Sequence, residues 1–441
     1  MPKMTPLPHQ LEGAAFLAER HAALLADAPR VGKTGTAILA ADDILAQSIL
    51  VVTTASGRPV WVRGFRDWSG FDVRTEAAYG KLPADWQDIP RLIVSWSDVS
   101  KMAPDLARRQ WDLLILDESH YAKSVTAKRT AAVYGNFRGA ARGWGLCDAA
   151  KRTWCLTGTP IPNAPNDLYP MLRALAPGLI NDLSKYDDFL HRYCVVRKKA
   201  VNAWTRIDVV IGGRNEGELR TRMEGFWLRR TQQDVGIMEP IYDLLPIHIT
   251  EKQRREIEQA CPEAEEVLLA AETGETRALE MHLGTLRRIT GFAKARGVAA
   301  AVAEELEDND EKIVLMCWHK DVMALLMDEL AKFGPVQVSG DTDPKAREDR
   351  VRRFQTDPAC RVFVGQIQAA GEAIDLSAAA ELIFVEMSFV PKDGQQAALR
   401  VTNHGQRRQP RVRVAALEGS VDEAVQGVLL RKLKSNREVM K

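Results

Sequence analysis

The segment DAPRVGKTGTA (27–37) sets Gly-Lys-Thr at the start of a helix-like stretch. A nucleoside triphosphate needs backbone N–H donors, a helix N-terminus and a cation at its β- and γ-phosphates, plus a hydroxyl for Mg2+. Gly32 permits close backbone approach, Lys33 supplies the charge and Thr34 the metal-facing hydroxyl. The motif is incomplete, with Ala28 near the place of the first glycine in the full phosphate-loop pattern, so the tripeptide alone also suits a helix start with an exposed lysine. Downstream, WDLLILDESH (111–120) offers an apolar run that ends in two carboxylates. Strands of an open parallel sheet present their carboxyl ends to the ligand crevice. Asp117 is therefore expected to reach the metal bound by Thr34, and Glu118 to orient or deprotonate an attacking water. An isolated Asp-Glu also suits a solvated turn, but the two motifs in this order predict ATP and Mg2+ binding. In LTGTP (156–160), Thr157 and Thr159 flank Gly158 at another strand end, suited to relaying a change at the phosphate; a plain turn before Pro160 is the bland reading.

The elements that must position these residues follow from the apolar pattern. SILVVTT (48–54), RLIVSW (91–96), LLILDES (113–119) and RTWCLTGT (152–159) look like buried strands breaking into polar loops. Between and before them lie stretches such as HQLEGAAFLAERHAALL (9–25) and KTGTAILAADDILAQ (33–47), with apolar residues at three- and four-residue spacing. Strand, loop and helix in repetition imply parallel strands with right-handed crossovers. The same grammar returns after 311 in KIVLMCW (312–318), VQVSG (336–340), RVFVGQ (361–366) and AELIFVE (380–386). The expected fold is α/β, two RecA-like parallel-sheet lobes with a helical, partly basic middle. The boundaries read as an ATP-binding lobe over 1–245 with a basic insertion near 181–230, a helical linker over 246–310, and a second lobe over 311–441.

Composition narrows the class. A chain of 441 residues exceeds one ordinary domain, and 60 Lys+Arg against 59 Asp+Glu exclude a histone-like polycation. Any nucleic-acid contact must come from local patches. One candidate is the cluster Arg192, Arg197, Lys198, Lys199 and Arg206, either a solvated face or a phosphate-tracking surface with salt-dependent binding. The 6 cysteines form no CxxC pair and read as buried thiols. MPKMTPLPHQ has no apolar core of leader length, and no apolar run approaches ~20 residues, so no membrane partner is expected.

PHQLEGAAFL, DAPRVGKT, LVVTTAS, LIVSWSDV, LDESHYAKS and LTGTPIPN, in this order, resemble the ATP-binding half of a superfamily 2 helicase, and more narrowly the Swi/Snf family of double-strand DNA translocases. RYC (192–194), IGGRNEGELR (211–220), FWLRRTQQDV (226–235) and the stretch 354–389 are similar to its annealing-helicase branch. The resemblance spans nearly the whole chain. It implies that Gln10 recognises adenine through its amide, and that Arg30, Val31, Gly32, Lys33 and Thr34 cradle the phosphates. Arg30 stands where the family tends to place a glycine, and Ala28 where it has an acid. Thr53, Thr54 and Ser95 are then hydroxyls on the nucleic-acid side. Arg229 and Arg230 match an Arg pair before the inter-lobe hinge, with a salt bridge to the first lobe as the alternative.

In the second lobe the family pattern QxxxRxxRxGQ matches Gln396, Arg400, Gly405 and Gln406. The resemblance makes Arg400 a cation for transition-state charge, Gly371 and Asp375 contacts to ribose or phosphate, and Ser339 and Gly340 a DNA-contacting strand end. Asn403 replaces the pattern's second arginine, leaving Arg400, or Arg407 and Arg408 from the adjacent QRRQ, to stand in for it, which bears on turnover more than on ATP binding. The expected activity is a DNA-dependent ATPase moving along double-stranded DNA to remodel DNA or protein-DNA complexes, with duplex or forked DNA as its partner. The alternatives are a strand-separating or fork-annealing helicase, and an ATP-switched nucleic-acid-binding scaffold. A monomer is expected, with its recruiting protein invisible, in the cytoplasm of a bacterium or encoded by a bacterial virus.

Overall fold

Apolar runs that alternate with polar loops become the strands of two separate parallel sheets. The structure, a computed structural model, describes residues 4–137, 142–161, 164–200, 206–260, 280–367, 374–388 and 391–438. It divides into two units, residues 1–231 and 232–441.

In the first unit, β1 (Ala22–Leu25), β2 (Ile49–Thr53), β3 (Thr75–Ala77), β4 (Arg91–Ser95), β5 (Trp111–Asp117) and β6 (Ala150–Leu156) are each followed by a polar loop. A hairpin of β7 (Cys194–Ala200) and β8 (Arg206–Gly213) stands apart as a two-stranded antiparallel sheet holding positions 197–199 and 206 of the basic cluster, while Arg192 lies on the preceding helix Tyr186–Tyr193 and pairs with Glu218 at 2.5 Å. A short β9 (Trp227–Leu228) returns to pair beside β1, giving the order β3-β4-β2-β5-β6-β1-β9 with every pairing parallel. Leu113 to Leu116 are all fully buried, as a central strand covered on both faces requires. Helices α1 (Pro8–Ala18), α2 (Lys33–Asp43), α3 (Gly57–Trp68) and α4 (Val99–Leu106) supply the covering layers. Trp61, Trp111 and Trp154 fill the unit's core.

The second unit contains β10 (Ile241–Ile247), β11 (Ile313–Cys317), β12 (Val336–Val338), β13 (Val362–Gln366), β14 (Glu381–Phe384) and β15 (Arg411–Leu417), in the order β10-β15-β14-β11-β13-β12, again all parallel. The boundaries differ from those expected at 245 and 310. β10 belongs to the second sheet, paired along its whole length with β15. The helix Glu280–Glu307 is no linker: Ala295, Val298, Ala299, Val302 and Leu306 are buried in the core of this unit. Lys294 on that helix is buried and donates to the Ala415 carbonyl at 3.1 Å, beside Asp422. Glu305, within the acidic run that made this stretch look solvated, grips the Arg413 guanidinium at 2.5 and 2.7 Å. The five described cysteines are buried free thiols; Cys261 lies outside the described residues.

Candidate active site

β1 runs into Ala26 and Asp27, both fully buried, and the chain then loops through residues 28–32 into α2. Two left-handed residues shape the loop, Arg30 at φ 72° and Gly32 at φ 99°. Gly32 has a second reason to be glycine, because a Cβ there would lie 2.5 Å from the Gln10 amide nitrogen. Lys33, the first residue of α2, folds back so that Nζ donates to the carbonyls of Asp27 (2.9 Å) and Ala28 (3.2 Å). Thr34 follows it on the first turn, half-buried. Val31 is buried and offers the loop only its backbone, whose carbonyl lies 2.9 Å from His9 Nε2.

Gln10 is buried and turned onto the loop itself. Its Oε1 accepts the Leu7 N–H at 2.9 Å, the reach-back typical of a helix's third residue, and its Nε2 donates to the Gly32 carbonyl at 3.3 Å. Those bonds use one of the two amide hydrogens and one of the two oxygen lone pairs.

Asp117 ends β5 inside a ring of donors. Thr53 Oγ1 (2.7 Å) and Trp61 Nε1 (2.9 Å) donate to its Oδ2, the Glu118 N–H to its Oδ1 (3.1 Å), and Trp96 Nε1 to its backbone carbonyl (2.7 Å). Burial pushes the carboxyl's pKa up, and the Glu118 charge adds to this; the Trp61 and Thr53 bonds and the Lys33 charge oppose it. Glu118 sits in the left-handed region at φ 50°, an uncommon place for a side chain of its size. Its Oε2 lies 3.1 Å from His120 Nδ1. The same ring nitrogen is 2.9 Å from Thr157 Oγ1 and 3.5 Å from Thr159 Oγ1, so a carboxylate and two hydroxyls share one imidazole atom. Between the threonines, a Cβ on Gly158 would lie 2.9 Å from Pro29, so this loop also abuts the loop over residues 28–32. Thr157 to Thr159 thus touch both the loop and, through His120, the acid pair. His120 was not singled out in the sequence, where only its place two residues after Glu118 marked it.

Arg230 follows β9 and forms the salt bridge that was the alternative to a hinge contact. Its guanidinium is bidentate on Asp27, at 3.1 Å through Nε and 2.5 Å at the second oxygen. It also donates to the His9 carbonyl, and its own carbonyl accepts the Ala28 N–H at 2.8 Å. Arg229 is half-buried, and burial lowers its pKa, with Arg220 adding repulsion.

Two hydroxyls expected to meet a polynucleotide do not face solvent. Thr53 and Ser95 are fully buried at their strand ends, Thr53 on Asp117 and Ser95 on the Asp98 carboxylate at 2.7 Å. A polar residue closing an inner strand must satisfy its hydroxyl locally, and a neighbouring carboxylate does so. Thr54 is half-buried, its Oγ1 accepting the Gly57 N–H at 3.0 Å at the start of α3. Lys198 is exposed on β7, opposite Asp208; the Lys199 side chain lies outside the described residues.

In the second unit, the Gly340 N–H donates to Gln366 Oε1 at 2.9 Å, and the Ser339 N–H to Thr342 Oγ1 at 3.0 Å, shaping the loop after β12. Asp375 is exposed, and Arg400 donates to the Ile374 carbonyl beside it at 3.3 Å. Asn403 turns inward to Ser377, and Gln406 Nε2 lies within 3.2 Å of the carbonyls of Ser377, Ala379 and Val401. Gln396 is half-buried on the helix Pro391–Ala398. Gly371 lies outside the described residues.

A family model for the SNF2-related domain matches residues 9–290, and one for the helicase conserved C-terminal domain matches 297–405. Among curated proteins, the mouse DNA annealing helicase and endonuclease ZRANB3 is 24% identical over 442 residues, covering 97% of this chain and 40% of that protein. The Xenopus tropicalis SWI/SNF-related matrix-associated actin-dependent regulator of chromatin subfamily A-like protein 1 is 28% identical over 440 residues, covering 97% and 44%. The chain therefore spans less than half the length of these relatives. A solved Sulfolobus solfataricus SWI2/SNF2 ATPase core in complex with dsDNA is 20% identical, with a TM-score of 0.45 over 99% of this chain and 93% of that one. The named curated relatives come from animals, which overturns the expected bacterial cytoplasmic or virus-encoded setting. Among the described residues, no helix is long and apolar enough to cross a membrane.

Proposed function

This chain belongs to the SNF2-related family, and on that premise we propose that it is a DNA-stimulated ATPase that translocates along double-stranded DNA. The observation that most supports this is the convergence of Lys33, Asp117, Glu118 and the Thr157–Thr159 loop at the carboxyl edge of one parallel sheet. Lys33 exchanges its two carbonyl acceptors for phosphate oxygens, while the loop Arg30–Val31–Gly32 and the open first turn of α2 present N–H groups to the same anion. The Thr34 hydroxyl and Asp117 carboxylate are hard oxygen donors that fit Mg2+, and a cation there favours the charged form that burial opposes. When bound, Mg2+ neutralises phosphate charge. Glu118, steadied by His120, orients and deprotonates the attacking water.

Thr157, Gly158 and Thr159 relay the state of the phosphate loop. Gln10 acts on adenine with the amide capacity it has left. Gln396 and Arg400 supply the second unit's contribution to hydrolysis, Gly371 and Asp375 contact nucleotide, and Thr54, Lys198, Lys199, Ser339 and Gly340 track DNA. The test is ATP turnover with no nucleic acid, single strand, duplex, fork and RNA. Stimulation by duplex or fork is expected; a rate indifferent to every nucleic acid overturns the reading. A second reading, fork annealing, is favoured by the name of the ZRANB3 relatives, and a labelled-fork assay separates it from translocation without strand exchange.

A further inference from the structure

The end of the first sheet farthest from β1 carries a feature that none of these roles uses. β3 stops at Ala77, and the chain turns back through Tyr79, Gly80 and Lys81, with Tyr79 and Lys81 bridged across the turn. Gly80 adopts φ 70°, and a Cβ built on it would meet nothing within 4 Å, so the turn projects into open space. Tyr79 is 61% exposed. Its ring is nevertheless held. The Arg58 guanidinium lies over it, 4.1 Å from the centroid. Arg58 is itself fixed from α3, donating to the carbonyls of Ala78 (2.8 Å) and Ala55 (3.3 Å) and to the Asp98 carboxylate (3.2 Å), with only 12% of its side chain exposed. From α4, Lys101 donates to the Gly80 carbonyl at 3.0 Å. Two helices therefore clamp a turn whose outermost feature is an aromatic ring, flanked by the exposed Lys81 and Lys101.

A ring held in place loses little freedom on binding, and every nucleobase offers it a π-face, while nearby ammonium groups suit a phosphate backbone. Within an unbroken duplex the bases stack on one another and cannot reach such a ring. We propose that Tyr79 is a stacking platform for an unpaired base, by which this surface favours DNA with an interrupted duplex, such as a fork, over a continuous one. The proposal rests on the DNA-acting reading above and adds the structural class of DNA to it.

The experiment measures the DNA concentration that half-saturates ATPase stimulation, with a blunt duplex and a fork of equal length bearing unpaired arms. The wild-type chain is expected to half-saturate at a lower concentration of fork. Tyr79→Ala should raise the fork value by about ten-fold, in line with the loss of one base–aromatic stack, while the blunt-duplex value moves by less than about two-fold. That unchanged duplex response also shows the variant to be folded. Tyr79→Phe and Tyr79→Trp should keep the preference. Fork preference that survives in Tyr79→Ala, an equal loss on both substrates, or a loss in Tyr79→Phe as large as in Tyr79→Ala each overturns the platform while leaving DNA stimulation intact. A wild-type ATPase deaf to all DNA removes the proposed function and the platform together.

Discussion

The carboxyl ends of the two sheets are furnished differently. In the first unit, the acids are met by other side chains: Asp117 is ringed by Thr53 and Trp61, Asp27 is held by Arg230 and Glu118 by His120. In the second, polar side chains mostly hold backbone. At its carboxyl ends Gln366 links Trp318 and Gly340, and the buried Glu386 accepts the N–H groups of Trp318 and His319 at 2.8 Å each while also meeting the His319 ring at 2.6 Å; on the approach to β14 and β15, Gln406 faces three carbonyls and Arg400 reaches the Ile374 carbonyl. The difference separates two jobs. Side chain on side chain fixes charges for chemistry; side chain on main chain fixes the shape of a surface.

The sharpest test of that division is Arg400→Ala, because the proposed function makes Arg400 its one exception. A residue that only holds the Ile374 turn would cost turnover a few-fold, whereas a transition-state cation would cost kcat about 10³–10⁵-fold, the outcome expected here. Single-turnover ATP hydrolysis decides between them. Glu118→Gln should lower kcat by about 10²–10⁴-fold with ATP still bound, and an equal loss of ATP affinity in a binding titration would deny Glu118 its role as base. Arg230→Ala leaves the buried Asp27 charge uncompensated, so denaturant unfolding of the first unit should show a loss of about 3–5 kcal/mol. Asp117→Asn tests the electrostatics of the acid pair. A carboxyl whose pKa is raised by folding destabilises the protein in its charged form, so at neutral pH and without metal the variant should melt above the wild type. The gain should shrink as pH falls towards the ordinary carboxylate range, where the wild-type group is protonated; a lower melting temperature at neutral pH contradicts the sign.

Much of the fold was legible because strands covered on both faces are continuous apolar runs, as in Leu113 to Leu116. The Gly-Lys-Thr loop and the Asp-Glu pair were legible as motifs because their spacing is local. What escaped was long-range or low in contrast. Asp27 and Arg230 are 203 positions apart, and no pattern in either segment demands the other. The helix Glu280–Glu307 buries a face of Ala and Val beneath an acidic end, so its composition resembled a linker. Thr53 and Ser95 looked like surface hydroxyls because strand ends usually open to solvent, and only the neighbouring carboxylates reveal why they turn inward.

The return of β9 to the side of β1 sets an order of events during synthesis. β1 and the loop over residues 28–32 leave the ribosome well before their outer neighbour and the partner of Asp27, which arrive only with residues 227–230. At the roughly 5–20 residues per second of translation, the nascent loop waits about ten to forty seconds for its last strand. Through that interval one side of β1 is an unpaired edge, open to pairing with another chain until β9 emerges.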